Sequence, residues 1–198
     1  MTLWTIQSID AWKELQTSGI LRCYDRFVEN EDYEAYKWMA KQMEKRIPVP
    51  RPGNAMPLWA WFQWEGEQQK RPDLRSSSHL PRGDRGVRIE FQIRDDWIIL
   101  SDFDLWHYVL NYWYLPQSLA DEELFEMKLA EHGLSFYDTK PLPDPIFHDA
   151  IRQSWERIFD IEWEEKGITV PKEQKSIQAT FWELRLKDLR LVDEFVAR

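Results

Sequence analysis

The chain has one cysteine, Cys23, in 198 residues. A single thiol excludes an internal disulfide and a thiolate-built metal site. Glycine is scarce too, seven in all, and neither GxGxxG nor GxxxxGKS/T occurs, so the loops that cradle phosphates in dinucleotide-binding and P-loop folds are missing. The four histidines, His79, His107, His132 and His148, include no i,i+4 pair and no HExxH, and no metal site is expected. There is no GxSxG nucleophile elbow. No apolar run reaches the ~18 residues that a membrane span takes, and the opening MTLWTIQSIDAW has neither the basic nor the apolar region of a secretory leader. Positive charge is in deficit: 26 Lys and Arg against 35 Asp and Glu give a net charge of −9. A broad basic surface for duplex nucleic acid is therefore not expected. These absences fit a cytoplasmic bacterial protein.

What the chain has in excess is tryptophan, twelve in all. Trp buries a large area and keeps one N–H in want of an acceptor. Such a surplus builds either a core of large side chains or an aromatic-lined ligand pocket. The stretch 87–115 organises the rest. Val87, Ile89, Phe91 and Ile93 alternate with Arg88, Glu90, Gln92 and Arg94, the period of a strand. After Asp95-Asp96, the run 97–100 predicts a second, fully buried strand. Ser101 or Asp102 then caps a helix whose apolar residues Phe103, Trp106, Leu110 and Trp113 recur at helical spacing.

Around this stretch the pattern predicts a strand at 3–6 and a helix at 11–17, capped by Ser8 or Asp10 and closed by Gly19. Extended chain follows at 20–22. A helix at 31–46 runs from acids to bases, matching its dipole, and Pro48, Pro50 and Pro52 end it. The strand 58–64, LWAWFQW, is apolar on both faces and so is expected at the centre of a sheet. Residues 65–86 read as a polar, basic, mobile loop holding Lys70, Arg71, Arg75, Arg82 and Arg85. Helices are expected at 118–132 and within 144–164, joined by a Pro-rich connection, and a late strand at 176–186. A last turn or strand covers 189–196. The sum is one α+β domain over residues 1–198, a mostly antiparallel and possibly split sheet flanked by four to five helices.

Four segments, LWTIQSIDAWKELQTSGILR, PLWAWFQW, SDFDLWHYVLNYWYLP and IQATFWELRL, resemble the bacterial family called domain of unknown function 3841. That likeness spans nearly the whole chain and implies no activity. The opening WTIQSIDAWKELQTSGIL is also similar to the start of ADP-ribosyltransferase-like folds: a strand, a helix, a Gly turn and a strand. This second resemblance implies NAD bound in a cleft of a mostly antiparallel split sheet. It also implies an acid on a late strand beside the oxocarbenium-like centre left as nicotinamide departs.

By residue matching, Thr5 falls where those folds carry a first-strand cation. Trp59 and Trp61 fall where an aromatic stacks the nicotinamide, and Gln178 falls near the catalytic acid. Thr5 is no cation, and Gln178 supplies no negative charge, so the active site would be atypical, with Glu183 as the available carboxylate. Arg71 and Arg75 of the basic loop would meet pyrophosphate, because a guanidinium pairs bidentately with phosphate. Two other expectations stand beside this one. A non-catalytic module would hold a nucleotide or a peptide in the same groove. An acid–base hydrolase would use Asp102, Asp104 and His107, the last two sharing a helix face at i,i+3.

Overall fold

The structure is a computed structural model and describes residues 1–135 and 137–198. The first strand, β1 (Thr2–Ser8), ends on Ser8, whose hydroxyl accepts from the Ala11 N–H and caps α1 (Ile9–Ser18). Gly19, at φ 78°, supplies the left-handed residue that closes α1 and returns its N–H to the Leu15 carbonyl. Two short strands follow, β2 (Ile20–Leu21) and β3 (Cys23–Tyr24), and then α2 (Tyr33–Arg46). β4 (Ala55–Met56) leads into β5 (Leu58–Gln63).

The expected loop at 65–86 holds one 3₁₀ turn, at 67–69, before β6 (Arg85–Gln92). It is tied to the sheet by Arg88 Nη1 donating to the Pro72 carbonyl at 2.6 Å and by the His79 ring lying 4.9 Å from that of Trp64. β7 (Ile99–Asp102) and α3 (Phe103–Leu110) come next, with the Asp102 carboxylate accepting from the N–H groups of Asp104 and Leu105. α4 (Leu119–Glu131) starts at a Ser118 cap, and α5 (Pro145–Ser154) at an Asp144 cap with proline in its first turn. β8 (Ile177–Phe181), β9 (Leu184–Arg185) and β10 (Leu189–Val196) complete the chain.

Six strands form one sheet in the order β10-β6-β1-β5-β8-β7, each neighbour antiparallel to the next. Two small sheets, β2-β9 and β3-β4, stand apart from it. The protein is a single α+β domain with five helices among its described residues.

Residues opposed across antiparallel strands share a face. The register Glu90–Trp4–Trp61–Gln178–Ser101 therefore marks one face, and the residues flanking each of these along the strands mark the other. On the first face lie α2, α3, α4 and α5, with Met39, Met43, Trp106, Phe125, Ile151 and Trp155 buried together. On the second lies α1 alone, its Leu15 packed with Leu3, Ile89, Phe91 and Phe181.

Three expectations shift. The buried strand expected at 97–100 begins two residues later. Residues 95–97 form a 3₁₀ turn instead, with Arg94 paired to Asp96 at 2.7 Å across it. The helix expected within 144–164 stops at Ser154 and tightens into a 3₁₀ turn at 155–159. There the Ser154 hydroxyl accepts from the Leu115 N–H at 2.9 Å, and the Trp155 indole donates to the Trp113 carbonyl at 2.7 Å, which fixes the end against the α3–α4 connection. Finally, the late strand expected at 176–186 divides into β8, which ends at Phe181 and is buried on both faces between α1 and the helical layer, and the short β9. The Pro-rich connection includes residue 136, which lies outside the described residues.

Candidate functional site

The two opposed faces decide where the expected site residues go. Thr5 is 1 % exposed and sits on the α1 face, opposite Ile89. Its hydroxyl donates to the Trp59 carbonyl at 2.8 Å. Gln178 lies opposite Trp61 and Ser101 on the helical face. The sheet itself separates Thr5 from Gln178, so no common hollow holds them. A strand's period of two puts neighbouring residues on opposite sides, and Thr5 is one residue past Trp4, whose row contains Gln178.

Trp59 and Trp61 are committed to packing. The Trp59 ring lies 4.8 Å from Trp106 and 5.8 Å edge-on to Tyr36. Trp61 lies 4.5 Å from Trp64 and 5.0 Å from Phe103. Burial pushes the Tyr36 hydroxyl up to about 12, as befits a ring inside this cluster. Arg75 is exposed and closes back on Asp73, two residues away, and Arg71 is exposed in the same loop.

Asp102, Asp104 and His107 gather at the start of α3, where burial and then the Asp102 charge push the Asp104 carboxyl up. Asp102 is 1 % exposed and fully engaged: it caps α3, accepts from the Thr169 hydroxyl at 3.1 Å, and pairs with Lys175 at 3.2 Å. Asp104 and His107 are exposed, and the His107 ring nitrogen Nδ1 lies 3.0 Å from the Phe103 carbonyl of its own helix. Among the described residues no group of three His, Cys, Asp or Glu is arranged to hold a metal ion.

A different concavity does open on the α1 face. It lies where β1 ends and α1 begins, holds about 320 Å³, and is lined by Gln7, Ala11, Glu14, Leu21, Arg22, Cys23 and Phe27 among others. Local sequence explains its walls. Gln7 is two residues after Thr5 and so shares its face. The Gln7 amide nitrogen donates to the Thr5 hydroxyl at 2.8 Å, leaving the Gln7 side-chain carbonyl oxygen without a donor among the described residues. Gly19 turns the chain so that Leu21, Arg22 and Cys23 run back along the mouth, pinned by the Leu21↔Leu184 and Cys23↔Met56 pairings. Phe27, 59 % exposed, forms the outer lip, with the Arg26 guanidinium 4.8 Å from its ring.

Thr5 and Glu183 each reach this cleft at one remove, Thr5 through Gln7 and Glu183 through Arg22. Glu183 Oε2 accepts from Arg22 Nε at 3.1 Å and Nη2 at 2.7 Å; its Oε1 accepts from Arg185 Nε at 2.7 Å. Burial pushes the Glu183 carboxyl up, but the hydrogen bonds from Arg185 and Arg22 outweigh it, and the group sits below the usual glutamate range. It is therefore ionised near neutral pH. Cys23, on the wall, is the reverse case. Burial, and then the Asp25 charge, push its thiol up to about 11, so it is protonated at neutral pH and a poor nucleophile.

Gln7, Arg22 and Phe27 did not stand out in the sequence. Gln7 was within reach, since extending the Thr5 face by one period of two arrives at it. Arg22 and Phe27 lie in short, irregular segments with no periodic signal. Lys175, fully buried with its ammonium donating to the Trp163 carbonyl at 2.7 Å, carries no local sequence signal at all.

No curated protein and no solved structure matches the chain. One family model does, over residues 2–189, and its description is "domain of unknown function". With nearly the whole chain matched, the protein belongs to that family, DUF3841.

Proposed function

We propose that this protein is a nucleotide-binding module that takes an NAD-type dinucleotide in the cleft beside α1, a different place from the one the ADP-ribosyltransferase resemblance implies. The observation that carries the reading is the convergence of Gln7, Glu14, Arg22 and Phe27 on one hollow of about 320 Å³ where the first strand meets the first helix. That volume lies in the roughly 300–1,000 Å³ range of small-molecule sites. The open carbonyl oxygen of Gln7 suits the N–H of a carboxamide. The exposed ring of Phe27 offers a stacking face, and Glu14 a counter-charge for a pyridinium. Arg22 supplies positive charge at the rim for a phosphate.

Binding without turnover is the better fit because both oxygens of Glu183 already accept from guanidinium groups. Its charge is largely offset before any substrate arrives, so little is left to stabilise a developing oxocarbenium ion. A transferase reading rests on the Arg22–Glu183 pair, which does bring an ionised carboxylate to the cleft wall.

One experiment separates them. NAD is titrated while the melting temperature is followed, and free nicotinamide is measured by chromatography. The binding reading expects a rise in melting temperature that Gln7→Leu and Phe27→Ala reduce, with no nicotinamide released. The transferase reading expects release that Glu183→Gln abolishes. Neither a shift nor release removes both.

A further inference from the structure

A second concavity lies at the other end of β1, between the end of β6 and the start of β10. It holds about 520 Å³ and is lined by Gln92, Arg94, Trp97, Arg185, Lys187 and Arg190, with Asp188 as the acidic side chain among the lining residues. Four cationic side chains against one acidic side chain is a local reversal in a chain whose net charge is −9. Two of the cations are held by carboxylates outside the groove's lining: Arg94 by Asp96 at 2.7 Å, and Arg185 by Glu183. Their guanidinium carbons flank the Trp97 ring at 5.2 and 5.4 Å from its centroid, which fixes both groups in place. Arg190 donates to the Gln92 side-chain carbonyl at 2.9 Å and has no carboxylate partner among the described residues. Lys187 is exposed and makes no ion pair or hydrogen bond among the described residues.

We propose that this groove is a binding site for an oligophosphate group, carried by a nucleoside di- or triphosphate or free as inorganic polyphosphate. The inference does not depend on the cleft beside α1. Planar guanidinium groups already fixed in orientation present forked donors at little further entropic cost, and a multiply charged, multi-oxygen anion engages several of them together. Lys187 and Arg190 form no ion pair among the described residues and supply charge beyond the two fixed pairs, against Asp188 as the acid in the lining. The surplus lines a bounded groove in an acidic protein, which favours a small anion over a long nucleic-acid strand.

Isothermal titration of the full chain with tripolyphosphate, ATP and a 20-mer single-stranded oligonucleotide tests this. Tripolyphosphate and ATP are expected to bind, more weakly as salt rises, and Lys187→Glu with Arg190→Glu is expected to lower affinity at least ~10-fold. Equal affinity for the two ligands assigns the site to phosphate alone; tighter ATP binding adds a nucleoside contact. Lys41→Glu, an exposed charge reversal on α2 that lines neither concavity, should leave affinity unchanged. If the double reversal misfolds, Lys187→Ala with Arg190→Gln takes its place. No binding of either small ligand, binding unaltered in the double variant, or affinity for the oligonucleotide alone would overturn the proposal.

Discussion

The two faces of the central sheet are built differently. The helical face carries α2, α3, α4 and α5 and a dense aromatic core, in which Trp38 stacks on Phe159 at 5.7 Å and meets Trp155 edge-on at 5.5 Å. The other face carries α1 alone over a core of Leu, Ile, Val, Ala and Phe. Four helices seal their side of the sheet at the Trp59 and Trp61 positions; one ten-residue helix does not span its side, and the end of β1 stays open beside it. The surplus of tryptophan thus builds a core, and the candidate ligand site falls on the face with fewer aromatic residues. A protein interior packed to crystal-like density has no room for a ligand, so a binding site belongs where the covering layer is short.

Breaking the thick face should cost most. Trp38→Ala removes a 4 % exposed indole with two aromatic neighbours and is expected to lower unfolding free energy by ~3–5 kcal/mol in urea titration. Loss below ~1 kcal/mol would mean that this layer is not the stabilising one. Lys175→Met leaves the Asp102 carboxylate, which caps α3, buried and unpaired; the expected cost is about 3–5 kcal/mol, and Asp102→Asn in the same chain should recover part of it.

On the thin face, Cys23 should be alkylated by iodoacetamide at pH 8 about 100-fold more slowly than a free thiol, since its pKa stands about two units above the ordinary value. The unfolded thiol ionises first, so Cys23 contributes stability below the ordinary thiol pKa, and that contribution is lost as pH rises from there to about 11. Ser8→Ala, which removes the cap of α1, is expected to cost ~1 kcal/mol and to loosen the cleft wall that α1 provides.

Regular elements were legible because their signals are local. The Ser8 cap and Gly19 close of α1, the Asp102 and Ser118 caps, and the alternation of β6 each lie within a few residues of sequence. The central place of β5 followed from its two apolar faces and holds in the sheet order. The site was less legible because it depends on facing. Whether Thr5 and Gln178 share a side turns on a register between three strands, and a difference of one residue reverses the answer. The Arg22–Glu183 pair joins residues 161 apart, and the Lys175–Asp102 pair joins a loop to a helix cap. Neither leaves a trace in spacing or periodicity.

The most direct test of the account is an NAD titration followed by amide and indole proton–nitrogen correlation spectra of the full chain. The predicted result is movement of the backbone signals of Gln7, Ala11, Leu21, Cys23 and Phe27, while the indole signals of Trp59 and Trp61 stay fixed. Movement of those two indoles with Gln7 and Cys23 unperturbed would contradict it, and would return the ligand to the tryptophan-rich face.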